Sequence, residues 1–250
     1  MKPAAALAAV FAAGALASRL LAGHTPAHFS IDRAQPVPVA TAWGGFGMLT
    51  FLLLALTIGC AFLPYVLLLR RPPPLRITLA TVVAVLVAGA WFTPLFSSDI
   101  YAYAAYGEMA RTGLNPYLHH VLPASDRIFT AAAWQWPQLP ACVYGEGFVA
   151  IARGISTLFA GAPVWVQLSA FRILAMAALP VCLALCGAIA KDERQRRFSG
   201  VFLTCNPIVI WSAIEGHNDA LMIAAVLAAI AIARRFPFAS IVTAASAVAI

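Results

Sequence analysis

Residues Ile77 to Tyr101 read ITLATVVAVLVAGAWFTPLFSSDIY, and this stretch decides the class of the chain. From Ile77 to Phe96 there is no charged side chain. At 1.5 Å per residue such a run is long enough to cross a hydrocarbon core about 30 Å thick. It ends on Ser97-Ser98-Asp99, which sets a carboxylate at the mouth of a membrane span. A charge is costly to hold there, so an ionisable residue in that place reads as functional.

The composition agrees. The 250 residues are 62% hydrophobic and 10% charged, with a mean hydropathy of +0.88, whereas charged residues run near a quarter of a soluble domain. The runs are continuous rather than alternating, which argues against the barrel pattern. The expected fold is therefore all-α: a polytopic helical bundle in a membrane, forming a single transmembrane domain over 1–250. The net charge of +7 is no nucleic-acid footprint. Arg70-Arg71 with Arg76, Lys191 with Arg194, Arg196 and Arg197, and Arg234-Arg235 all stand where apolar runs end, the positive-inside pattern. Phosphate-bearing membrane lipid suits the same face. Cys60, Cys142, Cys182, Cys186 and Cys205 show no metal spacing and imply no disulfide framework.

Outward from the opening stretch, the run from about Ala4 to Leu21 is a span or a cleaved signal peptide, since Ala15-Leu16-Ala17 before Ser18 fits a small-residue cleavage site. The run from Ala42 to Leu69 returns inward and stops at Arg70-Arg71-Pro72-Pro73-Pro74. After Ile77–Phe96 comes a polar segment, 97–146, read as an external loop carrying surface helices. Ser98 or Asp99 caps a helix through Tyr101, Tyr103, Tyr106 and Met109, ended by Gly113, and its aromatic side suits an interface. A second short helix is expected over Arg127 to Trp136. Two runs follow, Gly147–Phe159 and Val166–Ala190. If both crossed, the cluster Lys191–Arg197 would face outside, so the first, short and carrying Arg153-Gly154, is read as partial or in-plane. Phe198–Ala213 then crosses outward and Ala220–Ala233 inward. Both are short, so the turn between them is expected to dip into the bilayer. This parity puts Asp99 and Asp219 on one face. The sequence stops at Ile250 inside another apolar run, the pattern of a chain truncated at its C-terminus.

Three polar islands carry the candidate chemistry. Asp99 is a helix cap or a general base, because partial desolvation by lipid strengthens a carboxylate as a base. Gly113-Leu114-Asn115-Pro116-Tyr117 is by itself a turn. Gly216-His217-Asn218-Asp219, with Glu215 beside it, carries more polar side chains than one helix cap needs, and His217 suits a phosphate or a sugar hydroxyl. Tyr144-Gly145-Glu146 is a hinge or part of a sugar pocket. Arg172, inside an apolar run, snorkels outward or meets a lipid phosphate. Asn206-Pro207 is a kink. His24, His28, His119 and His120 read as solvated loop residues.

Ser98-Asp99-Ile100-Tyr101, Gly-Leu-Asn-Pro-Tyr at 113–117, Tyr144-Gly145, Asn206-Pro207 and Gly-His-Asn-Asp at 216–219 together resemble the GT-C-type membrane glycosyltransferases. The nearest group is the bacterial polyprenyl-phosphate-mannose-dependent mannosyltransferases. The likeness spans about Ile77 to Arg235. It implies a GT-C-like fold with a catalytic acid in the first large external loop, which falls on Asp99. It also implies a polyprenyl-phosphate sugar donor, a glycan or lipid-linked acceptor hydroxyl, and action on the extracytoplasmic face of a bacterial inner membrane. The candidate substrate-binding set is Ser98, Tyr101, Asn115, Tyr117, Tyr144, Arg172, His217, Asn218 and Asp219, with Arg111 as a further cation for the leaving phosphate. Relatives often carry Tyr-Gly-Pro where this chain has Tyr144-Gly145-Glu146. No metal ligand set is assigned, and a divalent cation as cofactor stays open. Two other readings stand beside this one: a transporter or lipid flippase using Asp99, Asp219 and Arg172 as a polar pathway, and a non-catalytic membrane scaffold.

Overall fold

The computed structural model describes residues 2–24, 46–91, 99–119, 128 and 139–234. Among these, the regular structure is helical: α1 Pro3–His24, α2 Phe46–Arg70, α3 Leu75–Ala90, α4 Asp99–Arg111, α5 Glu146–Leu158, α6 Val164–Ile189, α7 Glu193–Thr204, α8 Pro207–Glu215 and α9 Asp219–Ala233. Ser98 lies outside the described residues, as do Trp134, Trp136 and, apart from Ile128, the second loop helix expected from the sequence.

The helix boundaries follow from local chemistry. Pro74 and Pro163 stand just before α3 and α6, where the absent N–H costs nothing. Asp192 caps α7 by accepting from Gln195 N at 2.7 Å. Asn206 caps α8 by accepting from Ile208 N at 2.9 Å, with Pro207 opening the helix. The expected kink at Asn206-Pro207 is thus a full break, and α7 and α8 meet at a bend of 49°. Gly113, at φ +85°, ends α4 in a Schellman turn in which Leu114 N donates to Met109 O at 2.8 Å.

Two apolar cores result. The bundle core joins Leu7 and Phe11 of α1, Tyr65 of α2, Val82 and Val85 of α3, Leu179 of α6, and Ile210 and Ile214 of α8. The α1 helix is packed in this core like its neighbours. A second core joins Ile100, Tyr103, Tyr106 and Met109 of α4, Phe148 and Ala152 of α5, and Leu168 and Phe171 of α6. The α6 helix belongs to both, so it ties the α4–α5 cap to the bundle. Outside the cores, Leu56, Leu63, Val87, Ile173 and Val181 are exposed, which suits a lipid-facing surface. Helices Leu52–Arg70 and Val164–Ile189 are long and apolar enough to cross a membrane, and the bent pair α7–α8 counts as a third if it is one span. The chain is thus an all-α membrane protein.

Contacts at the helix ends give the relative directions. Arg172, near the start of α6, reaches the last carbonyls of α3 and of α8. Leu75, at the start of α3, meets α6 at Gly187 and α7 at Gly200. So α3 and α7–α8 run antiparallel to α6. The cations Arg70, Arg71, Arg76, Lys191, Arg194, Arg196 and Arg197 therefore gather at the end opposite Asp99. Arg234 joins them by donating to Ile189 O.

The cap differs from the expected surface helix in one respect. α4 forms over the expected residues, yet it is buried on all sides from Ala102 to Met109. Ala102, Ala104, Ala105 and Gly107 present so little bulk that neighbours close over every face. A Cβ added at Gly107 would stand 2.5 Å from Ala152 O and 2.6 Å from Ser156 Oγ, so α5 crosses directly over this glycine. The amphipathic helix is α5, with Phe148, Ala152 and Ser156 as one buried stripe.

Candidate active site

The site is made where α4 begins and α8 ends. Gly216 terminates α8 at φ +90°, a left-handed conformation that glycine adopts without strain. The chain reverses there, with His217 N donating to Ser212 O at 3.0 Å. The first turn of α4 rests on the same glycine: a Cβ at Gly216 would stand 2.5 Å from Ile100 Cγ2 and 3.6 Å from the Arg172 Cα. Arg172 is eight residues into α6, about 12 Å along the helix axis. The turn thus lies beside α6 some way from that helix's start.

This reversal aims the His217 ring at the start of α4. Its Nδ1 lies 3.0 Å from Asp99 Oδ2, with the two side chains 31% and 29% exposed, so the pair is sheltered and still reachable. The hydrogen bond to Asp99 raises the His217 pKa above 6.5; burial opposes this, and the charges of Asp99, Asp219 and Glu215 reinforce it. Asn218 stands at the N-cap of α9, but its side chain makes no cap hydrogen bond. Its Oδ1 instead accepts from the Tyr103 hydroxyl at 3.4 Å. Asp219, the first residue of α9, accepts from Ser212 Oγ at 2.9 Å. Two islands that are more than a hundred residues apart thus meet at one place.

An aromatic floor lies beneath. The Tyr103 ring meets Tyr144, Phe148 and Phe171 at centroid distances of 5.1, 4.7 and 5.9 Å, the first two edge-on. Burial holds the Tyr103 and Tyr106 hydroxyls protonated and pushes Tyr101, half-buried on the first turn of α4, up to about 12. These phenols are therefore hydrogen-bond donors at any physiological pH.

Other candidates are engaged by the fold. Asn115 Oδ1 accepts from Tyr117 N at 2.9 Å, the Tyr117 hydroxyl donates to Tyr144 O at 2.9 Å, and Cys142 N donates to Pro116 O at 3.0 Å. The Asn-Pro-Tyr turn thus fastens the strap that carries Tyr144. His119 Nδ1 lies 2.9 Å from Asn115 O. Arg111 pairs with Glu108, itself 5% exposed, through both carboxylate oxygens. Arg172 donates through Nε to Ile214 O at 2.5 Å, Nη2 to Gly89 O at 2.7 Å and Nη1 to Ala90 O at 3.4 Å. It ties down the carboxyl ends of two helices, where a cation is favoured. Among the described residues, no group of three His, Cys, Asp or Glu side chains is placed to hold a metal ion.

Sequence reasoning missed two members. From the sequence Tyr103 reads only as an interface aromatic, although it lies one helical turn after Asp99. Ser212 stood unremarked inside an apolar run, one turn before the glycine that ends α8.

The motif order and this convergence invite comparison with known proteins. Residues 4–250 match the family model described as "Alpha-(1->6)-mannopyranosyltransferase, N-terminal domain". The chain belongs to that family. Two curated relatives agree with it. One is an alpha-(1->6)-mannopyranosyltransferase of Mycobacterium tuberculosis, 32% identical over 149 residues, covering 57% of this chain and 24% of the relative. The other is a probable alpha-(1->6)-mannopyranosyltransferase of Mycolicibacterium smegmatis, 32% identical over 142 residues, covering 54% of this chain and 25% of the relative. The aligned part of this family member thus spans about a quarter of the length of each curated relative. No solved structure matches it. The family bears out the resemblance to GT-C-type mannosyltransferases.

Proposed function

We propose that this chain carries the acceptor-activating site of a membrane mannosyltransferase that uses a polyprenyl-phosphate mannose donor. The supporting observation is the Asp99–His217 contact, made by two polar turns that enter the bundle from the end opposite its basic clusters. In the reaction, the acceptor hydroxyl oxygen attacks the anomeric carbon and forms the new glycosidic bond. Asp99 takes the hydroxyl proton as general base. The bond from the anomeric carbon to the phosphate oxygen breaks, and its electron pair leaves with polyprenyl phosphate. The acceptor is a glycan or a lipid-linked sugar, in keeping with the 1→6 linkage in the relatives' names. Tyr101, Tyr144, Asn218 and Asp219 line the sugar site.

The donor's lipid tail accounts for a site at one end of the bundle, since a long prenyl chain leaves the bilayer only at great cost. The end bearing Asp99 faces the extracytoplasmic side of the cell membrane, because the basic clusters occupy the other end. The transporter reading needs Arg172 in a polar pathway, whereas its guanidinium is turned to backbone carbonyls.

The test is transfer of radiolabelled mannose from polyprenyl-phosphate mannose by membranes containing the full-length protein. Asp99→Asn keeps the shape of the side chain and removes the base, so transfer falls by on the order of a hundredfold or more. Undiminished transfer would remove Asp99 from the reaction.

A further inference from the structure

We infer that His217 is the positioning residue of the acceptor-side base and does not serve the departing phosphate. The inference rests on the role given to Asp99 above and extends it to a second side chain. The first support is geometric. His217 Nδ1, 3.0 Å from Asp99 Oδ2, holds one carboxylate oxygen and so fixes the rotation of the carboxyl about its Cβ–Cγ bond. The direction in which Asp99 meets an acceptor hydroxyl is then set by the imidazole.

The second support is that His217 is itself held. Its backbone N–H is bonded to Ser212 O at 3.0 Å. The glycine before it is pinned beneath Ile100, and Asn218 after it is tied to Tyr103. A side chain on so constrained a turn transmits that constraint to its partner.

The third support is stereochemical. In an in-line displacement the attacking and departing oxygens lie on opposite sides of the anomeric carbon. The base stands with the attacking oxygen. A residue in direct hydrogen-bond contact with that base belongs to the same side, away from the phosphate. Well-oriented groups of this kind govern rate strongly, since a misplacement of about 1 Å costs on the order of a hundredfold.

The experiment compares His217→Asn, His217→Gln and His217→Ala in the full-length protein in membranes, with Asp99→Asn alongside. The side-chain amide nitrogen of Asn stands near the Nδ1 position, and that of Gln near the Nε2 position. Expected is that His217→Asn keeps transfer within about threefold of the parent, while His217→Gln and His217→Ala lose on the order of a hundredfold in kcat with the donor KM little changed. Because Asn and Gln are both polar and of similar bulk, their contrast separates positioning from misfolding. Full transfer by His217→Ala, or rescue by Gln and not by Asn, would overturn the inference and leave the Asp99 reading standing if Asp99→Asn is inactive. An active Asp99→Asn would overturn the Asp99 reading itself.

Discussion

Ile100 and Gly216 are in such close approach that a single methyl group at Gly216 would stand 2.5 Å from Ile100 Cγ2. The contact joins the first turn of α4 to the end of α8, and it carries Asp99 and His217 into register on either side. Gly216→Ala therefore meets two penalties. One is the left-handed backbone at φ +90°, at about 1–3 kcal/mol for a residue with a Cβ. The other is displacement of a β-branched side chain with little rotamer freedom. Thermal unfolding in detergent should show a lowered midpoint and transfer should fall with it. An unchanged midpoint with full transfer would show that the two helices are not in this contact.

Gly107 makes the same kind of demand where α4 crosses α5. A Cβ there would stand 2.5 Å from Ala152 O, which is backbone and cannot rotate away. Gly154, on α5 itself, has nothing within 4 Å of its added Cβ. The pair makes a controlled experiment. Gly107→Ala should destabilise by about 1–3 kcal/mol through overpacking. Gly154→Ala should be neutral or stabilise by up to about 1 kcal/mol through helix propensity. The two midpoints, measured side by side, should move apart; equal shifts would mean that α5 does not cross at Gly107.

Arg172 discriminates between a structural clamp and a phosphate ligand. Its planar fork reaches carbonyls at Gly89, Ala90 and Ile214, a geometry that lysine cannot reproduce. Arg172→Lys should lose about 1.5–3 kcal/mol of stability, the scale of one charge-assisted hydrogen bond. Full stability with a raised donor KM would instead assign Arg172 to the phosphate.

The Asp99–His217 pair makes docking of α4 on the α8–α9 turn dependent on pH. The His217 pKa is raised in the folded protein, chiefly by its hydrogen bond to Asp99. Its stabilising contribution is therefore fully present below the ordinary imidazole value of 6.5 and is lost as pH rises through the higher folded value. Hydrogen exchange of the α4 amides should speed up, relative to the interior of α6, as pH rises above 6.5 and through the higher folded value. Asp99→Asn should weaken that pH dependence, leaving only the smaller pull of Asp219 and Glu215 on His217. An α4 whose relative exchange does not change as pH rises from below 6.5 into the alkaline range would contradict the coupling.

Much of this architecture was legible in the sequence, and the reasons lie in particular residues. Asp99 and His217 stood out because they interrupt apolar runs, where a polar group has to be accounted for. Their convergence followed from the arginines: with Lys191 to Arg197 and Arg234 assigned to one end, the short run at 147–159 reads as partial or in-plane, and the structure has α5 packed against α4. The burial of α4 was not legible, because alanine marks neither a buried nor an exposed face and Gly107 reveals a crossing only once α5 is in place. The role of Arg172 was hidden for another reason. Its partners are backbone carbonyls 42 and 83 positions away, and carbonyls leave no trace in a sequence. Asn115 and Tyr117 drew notice as a motif, whereas their hydrogen bonds serve the strap that presents Tyr144.

The account depends on the Asp99 turn and the 216–219 turn meeting at one end of the bundle, on the extracytoplasmic side. Single cysteines at Tyr101 and at Asp219, in a full-length chain whose own cysteines are replaced by alanine, can be labelled in intact cells with a membrane-impermeant maleimide. Both should react from outside the cell, and a shared polyprenyl-phosphate ligand should slow both reactions. Reaction of one position from outside and of the other only after the membrane is opened would contradict that shared placement.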